Sequence, residues 1–165
     1  MGRVHYLKSI QKIPVPVEEA WAYFSKAENL LQITPAFLNM KVTSPPQPGE
    51  TYAGQVLTYN VRPLFGITMS WMTEITHVER LKRFVDEQRK GPFTLWHHQH
   101  HFTPIEGGTE MTDIVHFRLP LGFLGNMAYP VLVKGQLQKI FIYRYGKVKD
   151  LFGGWKGEEM QLWIN

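Results

Sequence analysis

Between Phe84 and Phe102 the chain reads Phe84-Val85-Asp86-Glu87-Gln88, then Gly91-Pro92-Phe93, then Trp96-His97-His98-Gln99-His100-His101-Phe102. Two strand-like segments around a Gly-Pro turn thus carry acids, amides and imidazoles where a core wants hydrocarbon. Side chains alternate along a strand, so Trp96, His98, His100 and Phe102 share one face, and Leu95, His97, Gln99 and His101 the other. The run of histidines therefore splits two and two. Phe84, Asp86 and Gln88 form a matching period-2 set just upstream. A polar spot inside an aromatic wall points to a binding cavity.

Working outward, the pattern predicts strands over 40–44, 51–62, 66–79, 82–90, 93–103 and 109–118. They are separated by Pro45 to Gly49, Arg62-Pro63, a tight turn near Arg80, Gly91-Pro92 and Glu106-Gly107-Gly108. Connections this short make neighbouring strands antiparallel. Ahead of them, residues 4–13 alternate as a first strand ended by Pro14 and Pro16. Pro16 opens a helix with Glu18 and Glu19 in its first turn and Val17, Ala20, Trp21 and Phe24 at helical spacing. Asn29 to Ile33 reads as a second short helix stopped before Pro35. Leu119 to Pro130 is an apolar loop punctuated by Gly and Pro. Beyond it Val133, Leu137, Ile140, Phe141, Tyr145 (or Arg144), Val148 and Phe152 recur every three or four positions, a long amphipathic helix ending at Gly153-Gly154. Trp155 to Asn165 reads as a poorly ordered tail. The expected organisation is one domain, 1–153, followed by a C-terminal tail, 154–165.

A chain of 165 residues fits one domain and buries roughly two thirds of its unfolded surface. With 44% hydrophobic and 13% aromatic residues it is globular, and aromatic side chains are available to line a hollow. It has no cysteine, which excludes disulfides, thiol nucleophiles and Cys-ligated metal centres. No apolar run is long enough for a transmembrane helix, so a soluble, cytoplasmic protein is expected. The formal net charge of +4 is partly concentrated in Lys134, Lys139, Arg144, Lys147 and Lys149, which read either as a solvated helix face or as a docking surface for a partner or anionic membrane. Ser9, Ser25, Ser44 and Ser70 lack the context of a nucleophile elbow, and no Gly-rich loop cradles phosphate. Nucleic acid is not expected as a partner, because the aromatic face belongs under a helix.

The order strand, two short helices, six strands, long helix resembles the SRPBCC superfamily, which includes START-like and birch-pollen-allergen-like domains and polyketide cyclases or aromatases. The resemblance runs over about residues 3–152. It is carried by the segment quoted above together with Gly108-Thr109, Met111, Asp113 and Phe141-x-Tyr143-Arg144, which look like the pattern of small bacterial ligand-binding members. The resemblance implies an α+β helix-grip fold: a curved antiparallel sheet of about seven strands wrapped around the long C-terminal helix, with a pocket between them for a small apolar or amphipathic molecule. Some relatives sit beside nucleotide-sugar-epimerase-like domains.

On this reading the ligand wall is Tyr59, Trp71, Trp96, Phe102, Met111 and Phe117, with Val133, Leu137 and Phe141 from the helix, and the polar set is Asp86, Gln88, His98, His100 and Asp113. An imidazole donating to a carboxylate suits either the orientation of a polar ligand end or proton transfer, with His98, His100 and Asp86 as candidate catalytic groups. A buried network that only satisfies itself is the alternative. His98 and His100 stand roughly 7 Å apart along the strand and with Asp86 or Asp113 would make a two-His, one-carboxylate set. A His-x-His pair without certain further ligands is nevertheless a weak metal signal, and no metal or cofactor is expected. Phe37 on one side of the cavity mouth, and Phe123 and Leu124 on the other, are candidate lid residues.

Overall fold

β1 (His5–Ile13) buries His5, Leu7, Ser9 and Ile13 on one face, and Pro14 ends it. The computed structural model describes residues 2–63, 66–122, 125, 127 and 129–165. α1 (Val17–Phe24) starts at Pro16, whose carbonyl accepts the N–H groups of Glu19 and Ala20 at 3.1 Å each. Glu18 and Glu19 oppose the positive end of that helix, and Val17, Ala20 and Trp21 point inward. Two 3₁₀ turns follow, Ala27–Ile33 and Ala36–Leu38.

The remaining strands are β2 (Lys41–Val42), β3 (Val56–Val61), β4 (Met69–Glu79), β5 (Arg83–Lys90), β6 (Leu95–Ile105), β7 (Gly108–Arg118) and β8 (Gln161–Ile164). They form one antiparallel sheet in the order β2-β3-β4-β5-β6-β7-β1-β8. Register shifts on β4–β5, between Met72 and Thr73 and between Ile75 and His77, are where the sheet bends. α2 (Lys134–Phe152), preceded by a π-helical turn at Tyr129–Val133, supplies Leu137, Phe141 and Val148 to the core. This is the expected helix-grip arrangement. Among the described residues no helix is long and apolar enough to cross a membrane.

Two expectations need correction. The strand predicted over 51–62 begins at Val56; Thr51 and Gln55 are turned inward and bonded to each other at 2.5 Å, and 51–55 form a turn tied to β4 by Gly54 N–H to the Ile75 carbonyl and Ile75 N–H to the Gln55 carbonyl. The sheet also has eight strands, since residues 161–164 of the supposed tail pair with β1. Asn165 anchors that pairing. Its N–H donates to the Tyr6 carbonyl, its carbonyl accepts from Tyr129 Oη at 2.7 Å, and Lys12 bonds Glu158 at 2.8 Å further back.

The core lies in two masses at opposite ends of the sheet's concave face. Under α1, Trp21 packs edge-on against Phe84 and Phe102, joined by Ile13, Ile75 and Val148. At the other end Leu7, Val115, Phe117 and Tyr129 close beneath α2. One glycine makes the sheet possible: a Cβ on Gly108 would lie 2.1 Å from the Ile13 carbonyl oxygen, so β7 can start beside the end of β1 only without a side chain.

Trp21 is fully buried and its indole N–H donates to Glu50, which also pairs with Arg80. We expect Trp21→Ala to lower unfolding free energy by about 3–5 kcal/mol, read from the urea midpoint at unchanged m-value. A loss below about 1 kcal/mol would show that this end of the core does not hold the grip.

Candidate functional site

Strand register brings the polar residues together. On β5–β6, Asp86 lies opposite His98; on β6–β7, His100 lies opposite Asp113; on β1–β7, Ser9 lies opposite Asp113. Because all of these residues are on the concave face, their side chains converge. Asp113 Oδ1 is 2.8 Å from His100 Nδ1 and 3.2 Å from His98 Nε2, while its Oδ2 accepts Ser9 Oγ–H at 3.2 Å. Asp86 Oδ2 is 2.9 Å from His100 Nε2 and 3.5 Å from His98 Nδ1. The two imidazoles lie 3.8 Å apart, and Phe84 stacks on His100 at 4.3 Å. Each ring is held at one edge by Asp86 and at the other by Asp113.

The cluster lies on the wall of a cavity of about 570 Å³ between the sheet and α2. Trp71 sits at the centre of its aromatic side, 5.4 Å edge-on from Trp96, 5.8 Å from Phe93 and 6.1 Å from Tyr59. Val133, Leu137, Ile140 and Phe141 form the opposite side. The mouth is rimmed by Ile67 and Leu121, which are 61% and 77% exposed although they line the same cavity.

Of the residues picked out from the sequence, Tyr59, Trp71, Asp86, Trp96, His98, His100, Met111, Asp113, Val133, Leu137 and Phe141 line this cavity. Three others lie elsewhere. Phe102 and Phe117 are on the same strand face but fill the two core masses that end the cavity, one against Trp21 and the other against Tyr129. Gln88 is occupied by the turn after β5, with its Nε2 donating to the Phe93 carbonyl at 2.6 Å and its Oε1 accepting the Phe93 N–H. It positions Phe93 instead of facing a ligand. Phe37 is 48% exposed, while its neighbour Leu38 lines the cavity. Phe123 and Leu124 lie outside the described residues.

Arg144, which the sequence pattern offers both as a basic helix charge and as the alternative to Tyr145 on the apolar repeat, lines the cavity. It follows Leu137 and Phe141 at helical spacing on α2, a signal available in the sequence. Its guanidinium lies 5.4 Å from the Phe141 ring, and its Nε is buried with no protein acceptor. Trp71 Nε1 is likewise buried without an acceptor. Phe93 and Thr73 were missed; Thr73 hydrogen-bonds the Tyr59 hydroxyl at 2.5 Å.

Burial and pairing pull against each other across the cluster. Burial raises the Asp113 carboxyl, but hydrogen bonds from His100 and His98 outweigh it and hold the group well below its ordinary value. Asp86 is lowered against its own burial by the charges and contacts of His98 and His100. Burial lowers both imidazoles. In His100 the two carboxylates prevail and the value ends raised, whereas in His98 the neighbouring His100 charge adds to burial and the value ends lowered. Burial, then the Asp86 charge, push the Tyr59 phenol far up. The cluster thus offers a proton-holding imidazole beside a neutral one, at the edge of an apolar space.

Comparison with known proteins gives the family frame. The family described as polyketide cyclase / dehydrase and lipid transport matches residues 13–140. Similar solved structures include a START superfamily protein from Mycobacterium smegmatis, with 16% identity, 89% of this chain and 99% of that one covered, and a TM-score of 0.66. The major latex-like protein 151 of Panax ginseng has 13% identity, coverages of 92% and 99%, and a TM-score of 0.65. A nucleoside-diphosphate sugar epimerase from Corynebacterium glutamicum has 21% identity and a TM-score of 0.61, with 87% of this chain matching 28% of that one. The comparison with curated proteins gave no match.

In chelator-treated protein, histidine NMR is expected to show His100 keeping its proton above the ordinary imidazole value and His98 losing it below. The sign for stability follows. His100, raised on folding, stabilises at pH below its unfolded value and loses that contribution as pH rises through its folded value. Asp113, depressed on folding, stabilises above the carboxylate range and loses that contribution as pH falls. Two histidines titrating together near the unfolded value would contradict the geometry.

Proposed function

The chain belongs to the polyketide cyclase, dehydrase and lipid-transport family, and from that premise we propose that it binds one amphipathic organic molecule with its apolar body against the Trp71–Trp96 wall and an oxygen-bearing end at Arg144, Asp86, His98 and His100. The observation that carries this reading is the pair of buried donors, Trp71 Nε1 and Arg144 Nε, without protein acceptors in a cavity whose walls are mostly apolar. A buried donor left unmade costs about 1–3 kcal/mol, and a ligand oxygen is the natural partner. The volume of about 570 Å³ is in the range of small-molecule sites. Lipids, polyketide-like chains and aromatic ketones or acids share this chemistry.

A second reading, cyclase- or aromatase-like proton transfer, is favoured by the opposite displacement of the two imidazoles, which sets a proton donor beside a proton acceptor. Turnover separates the two. A carrier returns its ligand unchanged, whereas in an enzyme His98→Gln abolishes product and spares binding. Docking through the basic helix has less support, since Arg144 faces the cavity and Lys149 and Lys147 already have acidic neighbours in Glu159 and Asp150.

The test is a titration of medium-chain fatty acids and hydroxyaryl ketones, followed by tryptophan fluorescence, since Trp71 and Trp96 line the cavity. Saturable one-to-one quenching is expected. Arg144→Met should weaken binding by about 10–100-fold, as expected for a hydrogen bond to a charged group, with little change for an alkane of equal length. Leu137→Trp should block both. Equal affinity for acid and alkane in the native protein would sink the oxygen-directed reading.

A further inference from the structure

Four imidazole nitrogens of His98 and His100 each face a carboxylate oxygen, at 2.8, 2.9, 3.2 and 3.5 Å. Two neutral imidazoles carry only two N–H groups between them. If both of those groups go to Asp113, at 2.8 and 3.2 Å, one carboxylate oxygen takes both N–H bonds while Ser9 holds the other oxygen. The two lone-pair nitrogens, His98 Nδ1 and His100 Nε2, are then left facing a third oxygen donor, Asp86 Oδ2. In that neutral state the three atoms converge on one place that either an added proton or a cation can occupy.

The geometry points to a divalent transition-metal site formed by Asp86, His98 and His100, with Asp113 as the positioning residue that fixes both rings. One donor atom from each of the three residues lies within 4.8 Å of the others, and the two Asp86 contacts are 2.9 and 3.5 Å. Ligands separated by 90–110° around an ion with bonds of about 2.1 Å stand about 3.0–3.4 Å apart, so only the imidazole pair has to close. Two imidazoles and one carboxylate on one side of an ion leave its other positions free. Here those positions face the cavity. The two carboxylates, Asp86 and Asp113, offset the charge of a divalent cation, with Arg144 as the remaining positive group on the cavity wall.

The outer contacts strengthen the assignment. Metal-bound histidines donate their second N–H to a carboxylate or carbonyl, which sets the tautomer and ring angle. Asp113 Oδ1 faces the outer nitrogen of both rings, hydrogen-bonded to His98 Nε2 at 3.2 Å and 2.8 Å from His100 Nδ1, and Ser9 orients Asp113 from the neighbouring strand. The histidines on the opposite face have no such arrangement: His97 contacts Glu87 and Gln99, and His101 contacts Gln99. The site takes a first-row ion such as Zn(II), Co(II) or Fe(II), and an oxygen of a molecule in the cavity can complete its coordination. This inference does not depend on the organic-ligand reading above.

The experiment is titration of chelator-stripped full chain with Co(II) and Zn(II) without any organic ligand, read by calorimetry and by the visible Co(II) bands. One ion per chain is expected. Asp86→Asn and His100→Gln should each abolish the Co(II) bands, and Asp113→Asn should weaken binding by about 10–100-fold. His97→Gln should change nothing. Because a variant can fail to fold, native protein labelled at histidine nitrogen is also titrated with Zn(II), and the ring-nitrogen shifts should fall on His98 and His100. Absence of binding by the folded native protein, or shifts confined to His97, His101 or His5, would overturn the proposal.

Discussion

Placing two carboxylates and two imidazoles inside an apolar space is costly unless every charge finds a partner at hydrogen-bond distance, and that requirement governs the centre of this molecule. Asp86 comes from β5, His98 and His100 from β6, and Asp113 from β7, so their convergence depends on two successive strand pairings being in register. A slip by one residue would turn either set to the outer face and leave the other charges unpaired in hydrocarbon. The aromatic masses at either end help to exclude that slip. Trp21 against Phe84 and Phe102, and Phe117 against Tyr129, fit only when the same faces point inward.

The hollow between these masses is a matter of spacing. At each end a large side chain from the sheet meets an element laid across it: Phe102 under α1 and Phe117 under the turn that leads into α2. Midway, the sheet presents the polar cluster and the Trp71–Trp96 wall, and α2 presents Leu137 and Phe141. Protein interiors pack densely wherever their side chains reach. Here the central side chains meet at one side, where the His98 and Phe141 rings are 6.3 Å apart, and leave a cavity of about 570 Å³ beside that contact.

How much of this was legible follows from what strand periodicity encodes. Alternation assigns faces, and most inward residues of β3 to β7 were found that way, including all four members of the polar cluster, though not Thr73 on β4. It does not say where along a strand the cavity stops, which is why Phe102 and Phe117 were counted with the wall, or that Gln88 at a strand end has been taken by the next turn. Arg144 stood between two readings, because its spacing matches Leu137 and Phe141 while its charge matches the basic helix face. β8 was missed because four residues after a Gly-rich stretch carry almost no periodic signal; pairing with β1 makes it a strand. The helix-grip architecture itself came from the resemblance, with periodicity supplying only the order of elements.

β1 draws both of its neighbours from the far end of the chain: His5 pairs with Phe117, and Leu7 with Ile164. Strands β3 to β7 can zip by local hairpins, but β1 must wait for loops of about a hundred residues or more to close, an entropic barrier that slows folding more than it lowers final stability. Of the sheet's pairings, those of the first strand close the longest loops. Ser9 arrives with it, and only then does Asp113 receive its third hydrogen bond. The polar cluster is thus completed across one of the longest loops in the sheet, and a sheet without β1 would have no finished site.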